Sequence, residues 1–508
     1  MLAPEDKLKL VPKPYLEATA RFANGADRPR DLLERCLADL AALEPKIGAF
    51  VHLNLERARA AADQSTERWR EGRPRSPIDG MPLGIKDIIE TADMPTENGS
   101  PLFAGWRSER DAASVAALRE AGAVIVGKTV TTEFAATEPR GTRNPHDLRR
   151  TPGGSSSGSA AAVAAGMLSA ALGTQVIGST IRPASYCGCI GFKASVGALN
   201  RGGSYDGLSQ SATGVLAATL EDAWQVAYEI AARAGGDPGY PGLFGQPRAP
   251  ALRKPRRLAF LQTAGWATAS AGAKAAIAEA LERIKSAGIE IITSQTHNRV
   301  AAVAAAIEDA RPLSMRINAW EWRWPLNTYR ERDRGKLSGA LLDRLAEAER
   351  MTLDHYRQDL AHRDKVRACY AELEADCDAC ISLSAPAAAP LGLDSTGDPN
   401  CTVHASLLGI PAIRCPCCRM KGCHSVFRSP GLSTAMLRHS LQRPRSRHCF
   451  SVPHGRASGP APEAAEGLRL WTPAQAALWN RGVSLRVAEA MSALQKRTNG
   501  RALDLSAL

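Results

Sequence analysis

Residues 151–167 read TPGGSSSGSAAAVAAGM, two adjacent glycines and three serines that run without a break into alanine. A flexible linker would stay polar, and this stretch turns into a helix former. A phosphate loop would follow its glycines with Gly-Lys-Ser/Thr, and no lysine follows here. The remaining reading is a helix of small apolar residues suited to close burial, SAAAVAAGMLSAAL, with Ser155–Ser157 placed to supply its N-cap. Any fold for this chain must find a crowded interior position for that segment.

The flanking sequence predicts an α/β architecture. PRDLLERCLADLAAL and NLERARAAADQSTERW carry apolar residues at helical spacing, so residues 1–70 are expected to be a helical segment. PIDGMPLGIKDIIE is a short apolar run closed by turn residues, a buried-strand pattern. DAASVAALREAGAVIVGKTV predicts a helix ending near Gly122 and then a strand, and such alternation points to a central sheet. Residues 71–413 are expected to form the core, with a variable helical region at about 267–376 that contains one strand candidate, GIEIIT. Trp320, Trp322 and Trp324 cluster there. Core packing or helix-end anchoring is the plain expectation for them, and lining a substrate pocket is the alternative.

A chain of 508 residues with 44% hydrophobic and 23% charged content can bury a sizeable core. No run of eighteen apolar residues appears, and the first 25 residues carry charges where a secretory apolar stretch would sit, so a cytoplasmic protein is expected. The net charge of +12 invites a nucleic-acid reading, but its distribution argues against one. Nine of the positive charges lie between Asp398 and Glu463, a stretch without a single acid, and the rest of the chain is nearly balanced.

Three stretches carry the chemistry: PLGIKDIIETADMPTENGS (82–100), NPHDLRRTPGGSSSGSAAAVAAGM (144–167) and ALGTQVIGSTIRPASYCGCIGFKAS (171–195). With GKTVTTEFA (127–135) and GLDSTGDPNCTVHASLLGIPAI (392–413), they resemble the amidase signature family, serine hydrolases of carboxamides. The resemblance implies that family's α/β fold, a central mixed β-sheet flanked by helices on both faces. It also implies a Ser–Ser–Lys triad at Lys86, Ser155 and Ser179, the second serine 24 residues after the first, with Ser155 following a cis peptide. Ser179 would be the nucleophile, and the backbone N–H groups of Val176, Ile177, Gly178 and Ser179 would form the oxyanion hole. A serine hydroxyl must lose its proton during attack, and a lysine can take that proton only when neutral. Burial lowers the lysine pKa from its free value near 10.4 and makes this possible.

The expected reaction is therefore cleavage of a carboxamide through a Ser179 acyl-enzyme, with no cofactor and no metal. A small-molecule amide is the expected partner, with a homodimer allowed and neither nucleic acid nor membrane expected. A glutaminase-type subunit of a tRNA-dependent amidotransferase is the close alternative, disfavoured by Gln175 and the TIRPAS ending. Ile177 stands where the family commonly has a small residue, and a β-branched side chain there is expected to resist positive φ or to narrow the pocket.

After Ile413 the pattern breaks. RCPCCRMKGCHSVFRSPG lacks the alternating apolar strand that the family carries at this point, and is rich in Arg, Cys, His and Ser. Reading the third base of each codon with the first two of the next, from Gly422 to Gly431, permits Met-Pro-Leu-Gly-Val-Gln-Val-Ala-Gly, a family-like strand. A frameshift near Ile413–Arg414 is therefore expected. Residues 414–508 are then anomalous, the C-terminal part of the fold is disrupted, and activity is compromised, with a catalytically impaired chain as the extreme outcome. The same account disfavours a zinc site at Cys415, Cys418, Cys423 and His424.

Overall fold

A computed structural model describes residues 8, 10–136, 138–249, 254–415 and 432–434. The strands are β1 (Phe50–Leu53), β2 (Pro82–Lys86), β3 (Val124–Thr129), β4 (Ala170–Gln175), β5 (Ile190–Lys193) and β6 (Ala212–Ala217). They continue with β7 (Arg257–Phe260), β8 (Glu290–Ile292), β9 (Ala379–Leu383), β10 (Ala412–Cys415) and β11 (Leu432–Thr434). Together they form one mixed sheet in the order β1-β3-β2-β4-β6-β5-β10-β11-β9-β7-β8. β2 pairs in parallel with both β3 and β4, and β7 pairs in parallel with both β8 and β9. The strands between these two parallel blocks are antiparallel.

The early helices are α1 (Thr19–Ala23), α2 (Pro29–Ile47), α3 (Leu55–Arg70), α4 (Ala113–Glu120), α5 (Ser157–Ala164), α6 (Ile181–Cys187) and α7 (Leu220–Ala234). The middle region adds α8 (Ala271–Ser286), α9 (Asn298–Ala306), α10 (Ala310–Asp333), α11 (Gly339–Glu349) and α12 (Leu353–Glu372), and α13 (Val403–Leu407) follows. Side chains alternate across a strand, so its neighbours divide between two cores. On β3, Val124 and Val126 pack with residues of α2, α3 and α5, whereas Ile125 joins the side holding α4 and α7. On β7, Leu258 and Phe260 meet α8, while Ala259 meets α9 and α10. Helices therefore cover both faces, as the motif resemblance implies.

Three local outcomes differ from the sequence expectations. The segment 1–70 is not purely helical, because β1 interrupts it and extends the sheet by pairing antiparallel with β3. Its alternation of half-buried and exposed residues over only four positions gives a weak signal. The alanine-rich helix ends at Ala164, and Gly166 turns the chain at φ 78° so that Ala170–Gln175 becomes a strand. That alanine run enters the sheet because β2 and β6 offer hydrogen bonds on both sides of it. Finally, Ser156 is the N-cap of α5 without a side-chain cap, its hydroxyl being committed to the backbone N–H and C=O of Thr174.

Beyond Ile413, β10 runs to Cys415, and the three residues of β11 lie between β10 and β9. The rest of the anomalous segment, with Cys418, Cys423 and His424, lies outside the described residues.

All eight residues of α5 are buried. A Cβ on Gly158 would collide with the carbonyl oxygen of Ala49 and the backbone nitrogen of Val130, so backbone approaches backbone there with no side chain between them. Gly158→Ala is expected to destabilise the protein by roughly 1–3 kcal/mol through overpacking, measured by chemical denaturation against the parent chain.

Candidate active site

Three lysines are fully buried among the described residues: Lys86, Lys128 and Lys193. Their surroundings separate them. Lys128 pairs with Asp87 at 3.0 Å, and Lys193 donates to the carbonyls of Ala194 and Ile410. Lys86 alone ends among hydroxyls, its Nζ 2.7 Å from Ser155 Oγ and 2.9 Å from Thr174 Oγ1. Burial pushes its pKa down to about 7, opposed by the charge of Asp206. In water only about one lysine in 10³ is neutral at pH 7, and burial shifts Lys86 strongly toward the neutral form. Lys193 is also pushed down to about 7, but its amine is committed to carbonyls.

Sheet geometry builds this arrangement. Lys86 closes β2, and the parallel register Ile85↔Leu172 brings Thr174 of β4 beside it. Ser155 arrives from the loop before α5, after a cis Gly154–Ser155 peptide, and its carbonyl accepts from Thr132 N at 3.2 Å. Ser156 N then donates to Ser179 O at 3.2 Å, which ties the two serine loops together.

The loop 176–179 is held by its carbonyls. Val176 O accepts from Gln210 Nε2 and Ile177 O from Ser406 Oγ, both at 3.5 Å. Gly178 O accepts from Arg182 N at 3.0 Å, and Ser179 O from Ser156 N. Among the described residues, none of the four corresponding N–H groups donates to a protein acceptor. Gln175 braces the loop from both ends, since its Oε1 accepts from the N–H groups of Thr180 and Ile181, each at 3.0 Å. Its Nε2 donates to Ser406 Oγ at 3.2 Å. Gly178 has no room for a side chain, as a Cβ there would collide with Thr402 Oγ1.

The concern over Ile177 resolves at the backbone, because it is not among the residues with positive φ. Its side chain lies on the cavity wall and packs against the α10–α13 side of the core.

Ser179 is 7% exposed and opens into a cavity of about 230 Å³. Val176 and Ile177 line it from the 176–179 loop, Arg182 from α6, and Arg311, Trp322 and Arg344 from the middle region. Of the three tryptophans, Trp322 therefore lines the pocket, Trp320 stacks on Tyr356 with centroids 5.5 Å apart, and Trp324 is 75% exposed. Sequence alone did not single out Thr174, Arg182 or Ser406, and gave Gln175 no role in bracing the loop. All four lie inside the motifs quoted above, so their positions were visible and their partners were not.

A family model, Amidase, matches residues 31–422. The chain belongs to the amidase family. Among curated proteins it is similar to a subunit of the glutamyl-tRNA(Gln) amidotransferase of Chloroflexus aggregans, 46% identical over 200 residues, 38% of this chain and 41% of that protein. The counterpart in Anaeromyxobacter sp. strain K is 45% identical over 195 residues, 37% of this chain and 39% of that protein. The matches thus span about two-fifths of the length of these curated relatives. Solved amidase-family structures align over far more of the chain. One, solved in work on a vestigial protein complex that reveals the evolutionary origins of an s-triazine catabolic enzyme, has a TM-score of 0.72 at 26% identity, covering 84% of this chain and 94% of its own. The peptide amidase of Stenotrophomonas maltophilia has a TM-score of 0.63 at 26% identity, with 84% and 93% covered. No helix among the described residues is long and apolar enough to cross a membrane, and no three His, Cys, Asp or Glu side chains gather there as a metal site would need.

If neutral Lys86 accepts the proton, kcat/KM should fall about tenfold per pH unit below about 7 and level off above it. The pH–rate profile on a neutral amide is the check. A flat profile from about pH 5 to 8 would mean that this lysine is not the base.

Proposed function

We propose that this protein is an amidohydrolase in which Ser179 attacks the carbonyl carbon of a carboxamide. The Ser179 proton passes through the Ser155 hydroxyl to neutral Lys86 as the Ser179 Oγ–carbon bond forms. The carbonyl π electrons move onto oxygen, and the N–H groups of the 176–179 loop stabilise that oxyanion, each worth about 3 kcal/mol of barrier. Collapse of the tetrahedral intermediate breaks the C–N bond, and the proton returns from Lys86 through Ser155 to the leaving nitrogen. Water then attacks the acyl-enzyme by the same relay and releases the carboxylate.

One observation carries the reading: a buried lysine poised near pKa 7 lies 2.7 Å from Ser155 Oγ, beside a loop whose carbonyls are all engaged and whose N–H groups are not. Family membership supports the reaction class, and a small-molecule amide in the cytoplasm is the substrate setting we propose. Ser179→Ala should lower kcat by about 10⁴- to 10⁶-fold, read as ammonia release from a panel of aliphatic, aryl and amino-acid amides. Unchanged turnover in that variant would remove Ser179 as nucleophile.

Two further readings each rest on a specific observation. The curated relatives named above favour a glutaminase-type amidotransferase subunit. Preference for glutamine together with copurifying partner subunits would establish it. The family match ends at residue 422, inside the acid-free segment, which supports an out-of-frame 414–508 and an impaired chain. Assay of the same gene with the frame restored after Ile413 tests this. A large gain in turnover is expected, and equal activity would remove the idea.

A further inference from the structure

The cavity in front of Ser179 carries three guanidinium groups, Arg182, Arg311 and Arg344. Arg182 is committed to the protein, its Nη2 donating to Gly154 O at 2.8 Å and to Thr396 Oγ1 at 3.0 Å. The other two differ. Arg344, on α11, has no carboxylate within 4 Å among the described residues, and its Cζ lies 5.5 Å from the centroid of the Trp322 ring on α10. Arg311, at the start of α10, is half-exposed, and its nearest described carboxylate oxygen is that of Asp398 at 3.7 Å. Burial lowers the Arg344 pKa, Glu347 one helical turn on opposes this, and the like charge of Arg311 lowers it further. The two cations thus repel each other across a part-buried wall. Asp394 is the one carboxylate residue in the lining.

A part-buried cation without a counterion is costly, and covering it with an uncharged ligand costs more. A carboxylate on the ligand reverses the sign, because a guanidinium fork binds it bidentately and the low local dielectric strengthens the pair. We propose that Arg344, assisted by Arg311, selects an anionic substrate, an amide whose acyl portion carries a carboxylate a short chain away from the scissile carbonyl. This rests on reading Ser179 as the nucleophile of an amidohydrolase. The Arg344 guanidinium lies over the Trp322 ring, a cation–π contact that helps hold it at the pocket wall. Arg311 stands at the mouth, where its charge also draws anions in.

The probes are succinamate and its uncharged isostere 4-methylpentanamide, with ammonia release as the readout. The parent chain should favour succinamate in kcat/KM, and Arg344→Met should lower the succinamate value about 100-fold, mainly through KM. Arg344→Lys should recover part of that loss, because the charge is kept and the fork is not. Succinate should compete with 4-methylpentanamide on the parent chain, a measurement that does not depend on any variant folding. Equal kcat/KM for the two amides in the parent, or no competition by succinate, overturns the proposal while leaving the amidohydrolase reading intact. No ammonia from either probe or from the wider amide panel defeats the amidohydrolase reading instead.

Discussion

A lysine amine that has lost its water can stay neutral, find a carboxylate, or sit on carbonyls, and the three fully buried lysines among the described residues illustrate all three. Lys128 has Asp87, Lys193 has the carbonyls of Ala194 and Ile410, and Lys86 has, among the described residues, the hydroxyls of Ser155 and Thr174. Hydroxyls can donate as well as accept, so they tolerate either protonation state of the amine. Burial brings the Lys86 pKa down to about 7, and the two hydroxyls suit the amine in either state. The rest of the site is organised around keeping that amine dry and keeping those hydroxyls in reach.

The sheet and the small-residue helix meet this requirement together. β2 and β4 run in parallel, so their C-terminal ends deliver Lys86 and Thr174 to the same edge, where the loop before α5 adds Ser155. α5 can lie there because its side chains are nearly absent, with Gly158 against the backbone of Ala49 and Val130. The 176–179 loop is fixed by a second set of interactions, with Gln175 clasping Thr180 and Ile181 on one side and Ser406 on the other. An amide side chain suits this role because it accepts two N–H bonds while donating to the serine. Orientation of the loop follows from its carbonyls being engaged, and this leaves its N–H groups without a protein acceptor among the described residues.

Most of the fold was legible in the sequence where periodicity is strong. α4 and β3 fall where DAASVAALREAGAVIVGKTV places a helix and then a strand, and β8 falls within GIEIIT. Legibility failed where a neighbour, not the local sequence, decided the outcome. The alanines after Gly166 have helical propensity but form a strand because β2 and β6 flank them. β1 has only four residues, too few to show a clear period, and exists because β3 had a free edge. Ile177 looked incompatible with its loop, but the loop does not require positive φ there.

What the sequence by itself determined was the family and the motifs that hold Lys86, Ser155 and Ser179, because these are short and their spacing survives without knowledge of the fold. Only the tertiary structure decided which groups face them. Thr174 and Ser406 are ordinary hydroxyl residues until the sheet register and the packing of α13 bring them to the site. Arg311, Trp322 and Arg344 belong to a variable helical region with no motif; the tryptophan cluster left pocket lining open as an alternative, and nothing in the local sequence of the two arginines points to the cavity. The physical reason is range. Lys86, Ser155 and the 176–179 loop are encoded within stretches of a few residues, whereas the pocket wall is set by how α10 and α11 pack over the sheet more than a hundred residues later.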